Sequence, residues 1–589
     1  MTTVTFTING QEVSAPAGTT ILKAAQDAGI DIPTLCHHPA LPPVGGCRIC
    51  LVDVKGQRTL QTACTFPVSE GMEVQTDNER VLKARKLVLD LLFSERNHFC
   101  MYCEMSGDCE LQKLGYRYGI DHWVYPAYTQ PFPVDATRKF FLMDHNRCVL
   151  CGRCIRACAE LAANHTLELR ERGTESMVSA DGNSPFGASS CVACGSCLQV
   201  CPTGALFERR SAFMGRSSQA QFVKSTCAGC SLGCGITIVT RGDNVLRIEG
   251  DWDALTNKGV LCRMGRFDPL YEERVRLTQP LVKTGAGLVP ATWEEALQAV
   301  AKRIGAVAAA EIGVLTTSSA TNEALYALQA LFRKGLGVTN MGLLNKVAPL
   351  AKRPGALTDL DGSDLIVVAG ADPVKEQPVV SFRLKKNIDR GARLILVTDA
   401  TDSELAAFAS FQFRMAEIDK ALKIAARADA PVVLYGAAVT PAVLAALETL
   451  PAKTSFLALQ LGVNTRAALA LGLANGFVPT AAKLLYVLLG EDTSEKVEVG
   501  DGTFLVVQTV FASLLTAKAD VVLPAASWSE RAGSLTDTQG HTHQLAAALA
   551  PKGNAKPDWE VLTLLARALG KNIGNDLADI AAQAAREIK

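Results

Sequence analysis

Beyond Cys262 the chain has no cysteine, although 327 residues follow it. It has no excess charge either, with 59 Lys+Arg against 59 Asp+Glu. That balance gives no electrostatic reason to expect nucleic acid or an anionic membrane surface as a partner. The opening MTTVTFTING lacks the basic stretch and apolar core of a secretory signal. No uncharged run reaches the roughly 20 apolar residues a bilayer span needs. The stretch Ala467 to Ala482, for example, has 16 residues and contains Asn475, two glycines and Pro479. A G-x-G-x-x-G dinucleotide fingerprint is also missing, so nucleotide binding is expected on another chain. With 48% hydrophobic residues, disorder and collagen-like repeats are excluded. The expectation is a soluble, cytoplasmic protein of several domains, with no transmembrane segment of its own.

What the chain does have is 19 cysteines, all between Cys36 and Cys262. Without a secretion signal, thiols clustered in this way bind metal or carry out redox chemistry rather than form disulfides. The first 262 residues are therefore read as metal-binding.

Local patterns place these cysteines on structure. Residues 3–14 alternate about Asn9-Gly10, which predicts a β-hairpin. A short helix is expected from Thr20 to Ala28, ending at Gly29. Apolar residues at helical spacing predict a helix within Asn78–Asn97. After Arg276 apolar runs alternate with Ala/Leu-rich segments. Ile312–Thr316, Leu365–Ala369, Leu394–Val397, Val432–Tyr435, Leu484–Leu489 and Phe504–Gln508 read as strands. Strands alternating with helices predict a mainly parallel sheet covered on both faces.

The cysteines fall into five groups. Cys36, Cys47, Cys50 and Cys64 (C-x10-C-x2-C-x13-C) can give two irons two thiolates each, a [2Fe–2S] site, with zinc as the alternative. Cys100, Cys103 and Cys109 are one ligand short of a cubane. His98 supplies the fourth in this reading, with Asp108 as the rival. Cys148, Cys151, Cys154 and Cys158 repeat as Cys191, Cys194, Cys197 and Cys201, followed by Pro202. This is the bacterial ferredoxin run, in which each fourth cysteine serves the other cluster. The expected sets are Cys148, Cys151, Cys154 and Cys201 for one [4Fe–4S], and Cys191, Cys194, Cys197 and Cys158 for the other. Cys227, Cys230, Cys234 and Cys262 (C-x2-C-x3-C-x27-C) form the fifth group, read as a further [4Fe–4S] with a zinc ribbon as the alternative. All 19 cysteines are used. The expectation is one [2Fe–2S] and four [4Fe–4S] clusters.

These motifs bring out a resemblance. Residues 1–215 resemble the iron–sulfur module of the large iron–sulfur subunit of respiratory complex I (the G subunit of NADH-quinone oxidoreductase), shared with NAD-linked hydrogenases and formate dehydrogenases. The run ERNHFCMYCEMSGDCELQ at 95–112 is its most specific piece. Many relatives space the ligand histidine as H-x3-C, which here falls on Arg96. The H-x-C form given by His98 is similar to diaphorase subunits of NAD-reducing hydrogenases. Residues 219–589 resemble the molybdopterin oxidoreductase fold through KGVLCRMGRF, SSATNEALYALQALFR, LIVVAGADPVKEQPVV and ADVVLPAASWSERAGSLTDTQG. Relatives with an active cofactor usually carry a lysine where this chain has Met264, and no cysteine remains to ligate molybdenum.

The resemblance implies an α+β multi-domain chain with five parts. A β-grasp [2Fe–2S] ferredoxin is expected at 1–77, a His/Cys3 [4Fe–4S] module at 78–118 and a 2[4Fe–4S] ferredoxin module at 138–212. A [4Fe–4S] N-terminal domain of molybdopterin-oxidoreductase type follows at 219–275, then an α/β molybdopterin-oxidoreductase-like domain at 276–589 without molybdenum or tungsten pterin. It also implies an electron-relay subunit of an NAD(P)H-linked complex, with no catalytic site beyond the relay. Its partners would be a flavin/NADH-binding subunit, a thioredoxin-like [2Fe–2S] subunit and a further redox module. That module could be a hydrogenase, a quinone module or another reductase such as one of benzoyl-CoA reductase type. The rival readings are a formate dehydrogenase α subunit with bound molybdopterin, and a zinc-rich scaffold.

Overall fold

Asn9 and Gly10 both take positive φ, 52° and 81°, the conformation a two-residue turn of type I′ requires. The strands Thr3–Ile8 and Gln11–Pro16 accordingly pair in register across them. The computed structural model describes residues 2–122, 124–126, 131–474, 476–493 and 497–588. Asn475, named above as interrupting an uncharged stretch, lies outside the described residues, as do Met1 and Lys589. The chain divides into two units, Met1–Ala220 and Gln221–Lys589.

In the first unit the hairpin joins a five-stranded sheet. The helix Ile21–Asp27 packs on it, with the Thr20 hydroxyl accepting from Lys23 N at its start. The long helix is Glu79–Glu95, and its Asn78 cap accepts from Val81 N at 3.0 Å. Its buried face includes Arg85, whose guanidinium donates to Ile49 O (3.0 Å), Leu51 O (2.7 Å) and Tyr118 Oη (3.2 Å). A buried cation persists here because every one of these bonds is charge-assisted. Arg85 thereby ties the cysteine-bearing loop at 47–50 to the helix Glu110–Tyr118.

The two copies of the repeated cysteine pattern fold alike. Leu150 and Ala193 each sit at φ 52°, and Gly152 and Gly195 follow at 67° and 71°. These left-handed residues curl each loop so that Leu150 N and Ala193 N donate to Cys148 Sγ and Cys191 Sγ, both at 3.4 Å. A short helix leaves each loop, Arg153–Arg156 and Ser196–Val200. A π-helical turn at Ala157–Leu161 follows the first and carries Cys158.

The second unit opens with a three-stranded antiparallel sheet, Gln221–Thr226, Gly235–Arg241 and Asn244–Gly250. The loop between its first two strands carries Cys227, Cys230 and Cys234. The rest contains two mainly parallel sheets, rather than the single one expected, and a separate antiparallel hairpin at Gly533–Thr536 and Thr542–Leu545. In one, Val521–Pro524, Phe504–Thr509, Leu484–Gly490, Ile312–Thr316 and Asn340–Leu343 run parallel, and an antiparallel hairpin at 281–290 extends the edge. In the other, Phe411–Phe413, Arg393–Val397, Leu365–Ala369, Pro431–Tyr435 and Ser455–Ala458 are all parallel. The expectation that both faces are covered holds for the larger sheet. Leu484, Tyr486 and Leu488 enter one core, while Leu485, Val487 and Leu489 enter another on the opposite face. Alternate side chains of a strand point to opposite faces, so a strand that is apolar throughout must be buried twice. Among the described residues no helix is long and apolar enough to cross a membrane.

Candidate metal centres

At the first group Cys36 N donates to Cys47 Sγ (3.3 Å) and Cys47 N to Cys36 Sγ (3.4 Å). The hydrogen bond between the two side chains brings the Cys36 thiol down to about 5 and pushes Cys47 up. A side-chain hydrogen bond likewise links Cys50 and Cys64, bringing Cys64 down to about 7 and raising Cys50. Two pairs of thiols are the donor set that two irons with two terminal thiolates each require.

At the second group, Cys100, Cys103, Cys109 and His98 line one small cavity. His98 Nε2 is buried and has no hydrogen-bond partner. The other side of the ring is engaged with the Leu92 backbone, and burial holds the imidazole down at about 4, helped by the charge of Arg147. A neutral ring whose remaining nitrogen is an unused acceptor is in the state in which imidazole binds metal. Asp108 is otherwise occupied, since its Oδ2 accepts from Ser217 N at 2.9 Å. Arg96, at the H-x3-C position, donates to His145 O (2.8 Å) and to Ser176 O, with its guanidinium 4.0 Å from the Phe132 ring centroid.

Cys148, Cys151, Cys154 and Cys201 line a second cavity together. Cys197, in turn, is raised by burial and then by the neighbouring charges of Cys194, Cys191, Cys158 and Cys154, and Cys158 itself is raised by burial and by the charges of Cys194 and Cys191. The structure thus places Cys201 with the first copy of the pattern and Cys158 with the second. Thr203 lines both this cavity and that of His98, so a single backbone segment after Cys201 forms a wall of each. In the second unit Cys227, Cys230, Cys234 and Cys262 lie close enough to raise one another's thiols, after burial as the main cause. Cys227 N donates to Cys234 O at 2.8 Å.

Burial pushes Cys148 and Cys158 up to about 11, and Cys109, Cys151 and Cys262 to about 12. Metal binding at these sites must therefore release protons, so the energy of ligation is coupled to pH. Backbone N–H groups aim at the same sulfurs, including Gly229 at Cys227, Leu232 at Cys230 and both Met264 and Gly265 at Cys262. Such donors favour the thiolate form. Among the described residues no three His, Cys, Asp or Glu side chains are grouped so as to hold one metal ion. A cubane carries its thiolates on separate irons, so its ligand sulfurs stand further apart than those around a single ion.

Beside the fifth group lies a cavity of about 130 Å³ lined by Cys227, Met264, Thr317, Glu491, Asp492 and Arg531. Glu491 Oε1 accepts from Trp528 N, and its carboxyl is raised by burial. Met264 lines this space at the position where the resemblance anticipates a lysine.

Sequence reasoning missed several residues that shape these sites. Gly204 presses on Cys103. Arg147 donates to Asn97 O (3.2 Å) and Phe99 O (3.1 Å), holding the backbone on both sides of His98. The C-P-T-G run after Cys201 could have drawn attention to Gly204. No local signal marks Arg147.

Comparison with known proteins agrees with this geometry. The 2Fe-2S iron-sulfur cluster binding domain family matches residues 1–79, and the NADH-ubiquinone oxidoreductase-G iron-sulfur binding region matches 85–123. The 4Fe-4S dicluster domain matches 147–205, the molybdopterin oxidoreductase Fe4S4 domain 220–270 and the molybdopterin oxidoreductase family 276–568. NADH-quinone oxidoreductase subunit 3 of Thermus thermophilus is 28% identical, over 96% of this chain and 82% of its own. The present chain is a homologue of the NADH-quinone oxidoreductase G subunits. One such G subunit, from Rhizobium meliloti, is 30% identical over 68% of this chain and 48% of its own. A putative formate dehydrogenase of Bacillus subtilis, YrhE, is 28% identical over 68% of this chain and 47% of its own. The chain thus spans about half the length of several curated relatives and most of the Thermus one. A chain of an NAD+-reducing [NiFe]-hydrogenase matches 36% of this chain and 91% of that one at 32% identity, with a TM-score of 0.34. The expected succession of a [2Fe–2S] part, a second iron–sulfur module, a dicluster part and molybdopterin-oxidoreductase-type parts matches these families in order.

Proposed function

We propose that this chain is the iron–sulfur electron-relay subunit of a multi-subunit, cytoplasmic NAD(P)H-linked oxidoreductase. The observation that carries the reading is the crossed placement of Cys201 with Cys148, Cys151 and Cys154 around one cavity. A zinc scaffold has no use for such an exchange between two repeats, whereas a two-cluster ferredoxin is built on it. When bound, the clusters supply one-electron acceptors in series. The chain's own residues do the rest: thiolates and His98 hold the irons, backbone N–H groups point at the sulfurs, and buried walls keep water out. Soft sulfur donors select iron–sulfur centres over hard cations, and burial together with N–H donors tunes their potentials.

The ligand sets are those named by spacing: Cys36, Cys47, Cys50 and Cys64 for the binuclear centre, and His98, Cys100, Cys103 and Cys109 for the first cubane. Cys148, Cys151, Cys154 and Cys201 hold the second, Cys158, Cys191, Cys194 and Cys197 the third, and Cys227, Cys230, Cys234 and Cys262 the fourth. The partners are a flavin/NADH-binding subunit, a thioredoxin-like [2Fe–2S] subunit and a further redox module. The names of the relatives, subunits of NADH-quinone oxidoreductases, support an NADH-linked complex of several subunits. In the test, the purified chain with its clusters is bleached by dithionite. NADH bleaches it only after a flavin-bearing partner is added. Bleaching by NADH alone contradicts the assignment of nucleotide chemistry to a partner.

A second reading, a pterin-bearing dehydrogenase, draws on the molybdopterin oxidoreductase match at 276–568. Two carboxylates, Glu491 and Asp492, line the cavity beside Met264. With Arg531 as the one cation beside them among the described lining residues, they suit the phosphate of a pterin cofactor poorly, and no cysteine lies beyond Cys262 to ligate its metal. The domain is read instead as a cover for the fifth group. One molybdenum or tungsten per chain, with released fluorescent pterin, would establish the second reading.

A further inference from the structure

The short helix Arg153–Arg156 begins after Gly152, one residue beyond Cys151, and contains Cys154. Its two arginines reach in different directions. The Arg153 side chain, 4% exposed, forms a two-pronged pair with Glu110, Nη1 to Oε1 at 2.7 Å and Nη2 to Oε2 at 2.8 Å. Its Nη1 also donates to Val200 O at 3.3 Å. Glu110 follows Cys109, and Val200 precedes Cys201. Glu110 N in turn donates to Pro202 O at 2.8 Å. Arg156 donates from Nη1 to Pro42 O and from Nη2 to Cys36 O, both at 2.5 Å, and from Nη2 to Cys151 O at 3.4 Å.

We propose that Arg153 and Arg156 are positioning residues that set the spacing between three clusters. Arg156 ties the binuclear centre of Cys36, Cys47, Cys50 and Cys64 to the cubane of Cys148, Cys151, Cys154 and Cys201. Arg153 ties the His98 cubane to that same centre. The inference rests on the ligand sets proposed above. A guanidinium suits the task because it is always charged and presents several donors in a rigid plane, so one side chain can fix two separate backbone segments. Lysine offers one point charge on a flexible stem and cannot reproduce the fork. Apart from Pro42, every residue the two arginines bond is a proposed ligand or the sequence neighbour of one. A small shift of either segment therefore changes a cluster-to-cluster distance without altering any iron ligand.

The test uses the full chain with its clusters, reduced and examined by electron paramagnetic resonance for magnetic interaction between centres. The variants are Arg153→Lys, Arg153→Gln, Arg156→Lys and Arg156→Gln. The Arg156 variants are expected to weaken the interaction of the binuclear centre with its cubane neighbour and to leave that of the His98 cubane unchanged. The Arg153 variants are expected to do the reverse, all with unchanged iron content. The lysine variants keep the positive charge, so they should alter the interaction with little change in midpoint potential. Parent spectra lacking one of the three centres overturn the ligand assignment and the proposal with it. Three parent centres and four variants with unchanged interactions overturn the proposal alone. So does loss of iron in the lysine variants, or weakening of both interactions by either substitution, since each describes a general structural pin.

Discussion

Gly204 lies so close to Cys103 that a Cβ on residue 204 would stand 2.4 Å from the Cys103 sulfur. The same loop carries Cys201 of the neighbouring group, and its Thr203 lines both cavities. Glycine is needed here for close approach, not for an unusual backbone angle.

Gly204→Ala should therefore displace Cys103 and disturb the His98 cubane selectively. Overpacking of this kind costs about 1–3 kcal/mol in a tight interior. We expect a loss of about four irons per chain, with the [2Fe–2S] signal intact. Full iron content and an unchanged spectrum of the His98 cubane would show that the contact relaxes without consequence.

Replacing His98 separates a ligand from a bystander. A neutral imidazole leaves its cluster one negative charge short of an all-thiolate centre, which makes reduction easier. His98→Cys should lower that centre's potential, on the order of 100 mV. His98→Ala should lose or visibly alter its paramagnetic signal. An unchanged signal and potential in His98→Ala would exclude ligation by His98.

The crossed ferredoxin assignment makes a paired prediction. Cys201→Ser should damage the centre that includes Cys148, Cys151 and Cys154, while Cys158→Ser should damage the one that includes Cys191, Cys194 and Cys197. Cluster-resolved spectra of the two variants check this. Damage confined in each case to the variant residue's own sequence group would mean that the fourth cysteines are not exchanged.

Much of this was legible in the sequence because it is local. Asn9-Gly10 specifies its turn, Asn78 its helix start, and the strands at 312–316 and 365–369 appear as the apolar runs suggested. The number of parallel sheets was not legible. A buried parallel strand is apolar on both faces, and its choice of neighbour is non-local, so Leu365–Ala369 and Ile312–Thr316 look alike in sequence yet lie in different sheets. The cysteine groups were legible from spacing. The roles of Gly204, Arg147, Arg153 and Arg156 were not, because each acts on a segment distant in sequence.

The hairpin Gly533–Thr536 and Thr542–Leu545 should be acid-sensitive. Burial alone would raise the Asp537 carboxyl, but the bond with His543 Nε2 (2.8 Å), the His541 N–H and the two imidazoles outweigh it and hold the carboxyl below its usual value. A depressed carboxylate stabilises the fold above its unfolded pKa, near 4, and loses that contribution as pH falls through the lower folded value. His543 packs near Gly233, in the loop of the fifth group. Asp537→Asn should lower stability at neutral pH by about 1–3 kcal/mol and flatten the acid limb of a stability–pH curve. An unchanged acid limb would show that Asp537 makes no such contribution.

The most direct test of the relay is metal and acid-labile sulfide analysis of the anaerobically purified chain. About 18 irons per chain are expected, from one binuclear and four cubane centres, with matching sulfide and no stoichiometric zinc. About 8 irons, or zinc in place of iron at the first or fifth group, would contradict a five-cluster relay.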